Sequence, residues 1–171
     1  MAELPILIYP DERLYRRCSE VPDISDEIRQ LMDDMAETMY KAPGIGLAAA
    51  QVGSPHRVIV LDIGDDDETG QKAKLFQIAN PVISHREGSI DWEEGCLSIP
   101  DIREVVRRSA SVRVNGIDRN GKPISIDAEG LLAVCLQHEI DHLDGILFID
   151  RLTSLKRKLI KSKLRRLLKS E

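Results

Sequence analysis

The segment from Glu129 to Asp144 is apolar on almost every face until His138, and a helix of that kind has to be buried. Gly145 stands where a C-terminal cap is expected. A chain of 171 residues is long enough for one core and too short for two, so this helix predicts a single domain built around it.

The elements around it are short. Ser25 reads as an N-cap, Asp26 and Glu27 favour a first turn, and Ile28, Leu31, Met32, Met35 and Met39 recur at helical spacing until Pro43, Gly44 and Gly46 end the run. The small residues Ala48 to Ala50 then lead into Gln51 on a strand or loop whose backbone can be approached closely. Val58 to Asp62 reads as a buried strand, Asp65 to Gly70 as an acidic surface loop, and Leu75 to Ile83 as a strand ending near Asn80-Pro81. Val112 and Val114 alternate with polar residues, as do Ile124 and Ile126, and Asn120-Gly121 between them signals a hairpin. Strands followed by a core helix, without repeats, predict an α+β domain with antiparallel sheets around the central helix.

Charge separates the chain into two parts. Residues 151–171 hold nine Lys or Arg against one acid, while the preceding 150 carry 15 bases and 28 acids. Leu152, Leu155, Leu159, Ile160, Leu164, Leu167 and Leu168 fall near helical spacing in that tail, which predicts a basic amphipathic helix. It belongs to the same domain as residues 1–150, the catalytic body. One reading docks it by its leucines with a solvated charged face, and another brings it to RNA. The Met-Ala-Glu-Leu-Pro start has no signal pattern and no stretch approaches a membrane span, so a soluble, cytoplasmic protein is expected. Three cysteines at unpaired spacing argue against a disulfide framework.

The chemistry lies in Gln137-His138-Glu139-Ile140-Asp141-His142, an H-E-x-x-H motif. Residues four apart share a helix face, so both imidazoles can bind one metal. Catalytic sites usually take three protein ligands and leave one position for water. Beyond His142 only Asp144, Asp150 and Glu171 offer a third ligand, and none sits convincingly, which turns the search upstream. Cys96 follows a glycine in Glu94-Gly95-Cys96-Leu97-Ser98, and a thiolate suits zinc or ferrous iron. Cys135 competes with it, since it stands three and seven residues before the histidines, although an unbroken apolar run favours simple packing there. Glu139 points beside the shared face and is the candidate base, a role that contributes about 10² to 10⁴ in rate. Cys18 is expected to have no catalytic role, and His56 and His85 are expected at the solvated surface.

Three segments together resemble the peptide deformylase family: Gly44-Ile45-Gly46-Leu47-Ala48-Ala49-Ala50-Gln51, then Glu94 to Ser98, then Gln137 to His142. The likeness runs essentially from Leu7 to Leu152. It implies that Cys96, His138 and His142 hold one divalent metal, with ferrous iron foremost and zinc, nickel or cobalt as substitutes. Glu139 becomes the acid/base, and the Gln51 amide and Leu97 backbone N–H become oxyanion donors, each typically worth about 3 kcal/mol. Gly44 to Gly46 would pair with the substrate backbone, Ile45, Leu131, Val134 and Cys135 would line the methionine pocket, and Trp92 and Arg103 would border the groove. The implied substrate is an N-formylmethionyl nascent peptide; a monomer is expected, and a substrate still attached to a ribosome would give the basic helix a use there if it contacts RNA. Two rivals are an H-E-x-x-H peptidase cutting internal bonds and a noncatalytic zinc-stabilised module, which would close all four metal positions with protein.

Overall fold

The structure is a computed structural model describing residues 2–169. Helix α1 (Asp26–Lys41) begins where expected, with the Ser25 hydroxyl accepting the Ile28 N–H at 3.3 Å. The Gly44 N–H donates to the Met39 carbonyl at 2.8 Å and closes its end. Its apolar stripe, Ile28, Met32, Met35 and Met39, is buried against a five-stranded antiparallel sheet.

That sheet has the order β1-β2-β3-β6-β7, from β1 (Gly46–Ala48), β2 (Val58–Leu61), β3 (Phe76–Glu87), β6 (Ser111–Ile117) and β7 (Pro123–Glu129). Alternate residues of β2 serve two cores: Val58 and Val60 pack with the α1 methionines, while Ile59 and Leu61 pack with α2 (Gly130–Leu143). Burial on both faces is why β2 reads as a continuous apolar run rather than an alternating one. The expected β6-β7 hairpin is present. Strand β3, however, runs on through Asn80-Pro81 instead of ending there. Asn80 takes φ 52°, its side chain bonds both backbone groups of Val21, and a register shift between Ala79 and Val82 absorbs the residue that lacks an N–H.

The segment between β3 and β6, given no element by the sequence pattern, forms a second sheet of β4 (Ile90–Cys96) and β5 (Ile99–Arg108). Its ladder carries ion pairs, Asp91 with Arg107 and Glu93 with Arg103, so charge masks the strand period. Ile99, Ile102 and Val106 of β5 pack with Leu14, Leu147 and Phe148 in a third cluster.

Helix α3 (Ser154–Lys169) docks on this cluster through Ile160 and Leu164, leaving Leu155 and Leu159 exposed. Ser170 and Glu171, including the terminal carboxylate weighed above as a metal ligand, lie outside the described residues. Gly145 has φ 75°, and a Cβ there would stand 2.5 Å from the Tyr15 carbonyl oxygen, so the turn after α2 requires glycine. His85 is exposed, whereas His56 is half-buried because it bridges to Ser19 in the N-terminal segment.

Candidate active site

Helix α2 places His138 and His142 one turn apart, with their Nε2 atoms 3.3 Å from each other. Cys96 arrives from the end of β4, its Sγ 3.4 Å from His142 Nε2, and the three donor atoms all lie within 4.8 Å of one another. Bond lengths of about 2.0–2.1 Å to nitrogen and 2.3 Å to sulfur in a tetrahedron give donor separations of roughly 3.3–3.6 Å. The triangle fits a metal ion on that measure. Cys135 does not join it, because its thiol turns to the Ile45 carbonyl at 3.8 Å, and burial keeps it protonated by pushing its pKa well up.

The His138 ring is held by a buried chain of charges. Its Nδ1 lies 2.8 Å from Glu94 Oε1, a contact that turns Nε2 toward the triangle. Arg108 grips Glu94 with two bonds of 2.8 and 2.9 Å and reaches Asp141 at 2.7 Å, and Arg151 closes on Asp141 from the other side at 2.8 and 3.0 Å. Burial opposes charge on Glu94, yet Arg108 and His138 together hold its carboxyl below the usual range. Sequence reasoning missed this set. Asp141 lies inside the histidine motif and Glu94 two residues before Cys96, which were the available signals, but nothing local points to Arg108 or Arg151. His142 has no such partner: its Nδ1 is buried without a hydrogen bond.

Glu139 is 4% exposed, and its Oε1 is buried with no partner. Burial raises its carboxyl to about 7, against a smaller opposing pull from His138. Gly46 packs against it, since a Cβ at that position would collide with Glu139 Oε2 and crowd Cys135 Sγ. Gln51 sits in the 3-10 turn after β1 with its Oε1 accepting the Ala48 N–H at 2.9 Å, and its Nε2 lies 3.5 Å from Cys96 Sγ.

These groups open into one groove of about 660 Å³. Gly44, Ile45, Gly46, Trp92, Leu97 and Arg103 line it. Leu131, Val134, Cys135, His138 and Glu139 of α2 line it as well. Strand β1 is the free edge of its sheet. Its pairing places Gly46 opposite Leu61, and the Asp62 N–H donates to the Ile45 carbonyl. In antiparallel alternation this turns the Ile45 and Leu47 backbone toward β2 and that of Gly46 and Ala48 outward, into the groove.

The sequence profile of the polypeptide deformylase family matches residues 3–158. The chain belongs to that family. The peptide deformylase of Alkalilimnicola ehrlichii is 52% identical over 169 residues, covering 99% of this chain and 93% of the relative. Among solved structures, a peptide deformylase from Legionella pneumophila superposes with a TM-score of 0.88 at 44% identity, covering 98% of this chain and 96% of the other. The peptide deformylase from Ehrlichia chaffeensis in complex with actinonin superposes at 0.91 with 38% identity, covering 97% and 98%. The α+β fold expected from the sequence is therefore the family's. No helix among the described residues is long and apolar enough to cross a membrane.

Proposed function

We propose that this deformylase family member removes the formyl group from the N-terminal methionine of newly made polypeptides, releasing formate. The observation that carries the reading is the Cys96-His138-His142 triangle beside the buried Glu139 carboxylate, in a groove that a free strand edge also lines. Cys96, His138 and His142 would hold a divalent metal, ferrous iron foremost with zinc, nickel or cobalt as substitutes, which when bound would supply a Lewis acid and a more acidic water.

The chain's own groups do the rest. The outward backbone of Gly46 and the Gly44 carbonyl pair with the substrate as with an added strand, and its first side chain enters the pocket of Ile45, Leu131, Val134 and Cys135. Glu139 takes the proton of the attacking water and passes it to the departing amine nitrogen, so the C–N bond breaks with a neutral leaving group. Gln51 Nε2 and the Leu97 backbone N–H donate to the carbonyl oxygen as it gains charge. The pairing edge stops at Ala48, whose N–H is already taken by Gln51. Only chain on the carboxyl side of the scissile bond therefore gains backbone partners, which disfavours a peptidase cutting internal bonds.

The test is formate release from a formyl-Met-Ala-Ser peptide by protein loaded anaerobically with ferrous iron. Formate and a free amine are expected in equal amounts. Cleavage of unformylated peptides without formate would replace this reading with the peptidase.

Residues 1–150 act as the catalytic body and the segment 151–171, which carries α3, belongs to the same domain, in a monomeric cytoplasmic protein. The exposed Lys158, Lys163 and Arg166 of α3 support contact with ribosomal RNA while Ile160 and Leu164 hold the helix to the body. Reversing those three charges is expected to abolish co-sedimentation with ribosomes at low salt and to spare turnover of the free peptide. Unchanged co-sedimentation rejects the RNA contact.

A further inference from the structure

We propose that Ser98 is a positioning residue for the reaction: its buried hydroxyl oxygen takes one Gln51 amide hydrogen and leaves the other aimed at the metal-ligand triangle. This rests on the reading of Gln51 as an oxyanion donor.

Gln51 is 1% exposed and Ser98 is 0% exposed, so neither side chain has water to satisfy it. A carboxamide in such a place can be turned either way about its last bond, and only one orientation presents N–H groups to the reaction. One contact selects the orientation and a second holds it. The Ala48 N–H donates to Oε1 at 2.9 Å, and Nε2 donates to Ser98 Oγ at 3.1 Å. Turned over, the amide would set its NH2 against the Ala48 N–H, donor against donor, and lose that bond, while Oε1 would face the Ser98 hydroxyl, which can donate as well as accept.

An amide nitrogen carries two hydrogens and no more. With one on Ser98 Oγ, the other lies on the side of Cys96 Sγ, 3.5 Å away. Ser98 thus holds Gln51 in the rotation that the Ala48 N–H selects and also limits the site to a single donor from this side chain. The Ser98 main chain is held separately, its carbonyl accepting the Tyr9 N–H at 2.8 Å, so the hydroxyl can be removed without releasing the strand turn. Without it, one buried amide hydrogen loses its acceptor and the Gln51 side chain is secured at Oε1 alone.

The experiment is a double-substitution cycle on the metal-loaded protein, with Ser98→Ala, Gln51→Ala and the pair assayed on a formyl-Met-Ala-Ser peptide. Ser98→Ala is expected to lower kcat about tenfold, less than the roughly 10²-fold of losing the donor itself, with KM and bound metal unchanged. In the double variant, kcat should equal that of Gln51→Ala alone, because Ser98 acts through Gln51. Independently of turnover, the Gln51 side-chain amide hydrogens of zinc-loaded Ser98→Ala should exchange with solvent at least about tenfold faster, with the α2 backbone amides unaffected.

Equal losses from Ser98→Ala with and without Gln51, or a loss tracking bound metal, would overturn the positioning role and make Ser98 a packing residue. A Gln51→Ala variant as fast as the parent would instead remove the oxyanion reading of Gln51, and the role of Ser98 with it. A parent that releases no formate would condemn the functional reading before either substitution is compared.

Discussion

Glu139→Gln is expected to lower kcat by about 10³-fold or more, toward the upper range for a lost general base and acid, while KM stays within about threefold. The substitution keeps the side-chain shape, and Oε1 has no hydrogen bond to lose. Glu139 also stands outside the Cys96-His138-His142 triangle, so bound metal should remain stoichiometric. What disappears is a carboxylate that can take a proton and return it. Its stability effect has the opposite sign. In the metal-free protein, burial raises the carboxyl from 4.5 to about 7, so the folded state favours the neutral form. The parent then has this contribution in full below pH 4.5 and loses it as pH rises through about 7, whereas the glutamine variant has no such loss. Melting curves at pH 8 should place metal-free Glu139→Gln above the parent, and turnover within tenfold of the parent would remove Glu139 from the proton path.

Arg108→Met is expected to be the most destabilising change in the site region, by about 3–5 kcal/mol, because it strands two buried carboxylates. The Arg108 side chain is 4% exposed, Glu94 5% and Asp141 11%, so water cannot replace the guanidinium. Glu94 would keep only His138 and Asp141 only Arg151. Loss of the support behind His138 should also weaken metal binding by roughly 10–100-fold in a chelator competition. The neighbouring Arg107 pairs with Asp91 at 2.9 Å on the exposed side of the same strand. Water and salt screen that pair, and Arg107→Met should leave the urea midpoint where it is. Equal midpoints for the two variants would show that the buried network does not support the site.

Helix periodicity made the histidine pair legible, since residues four apart share a face wherever the helix sits. The N-cap of α1 and the β6-β7 hairpin were legible for the same reason, as each depends on residues a few positions apart. The β4-β5 sheet was not, because its cross-strand ion pairs replace the apolar alternation that marks a strand. Arg108, Arg151 and Ser98 were also hidden, each 10 or more residues from the group it serves.

The choice between Cys96 and Cys135 shows where local information ends. By helix phase alone Cys135 was an acceptable ligand, and the three-segment resemblance named Cys96 without a geometric reason. The tertiary structure turns Cys135 toward the Ile45 carbonyl of the groove wall and brings Cys96 to 3.4 Å from His142. Cys96 reaches that position because Ile99, Ile102 and Val106 bury themselves against Leu14, Leu147 and Phe148, seating the β4-β5 sheet against the segment that follows α2. The sequence by itself determined the family, the fold class and the pair of imidazoles on one helix face. Where the thiolate, the Gln51 amide and the supporting charges meet that face was decided by packing between distant segments, because sequence periodicity carries no information about such contacts.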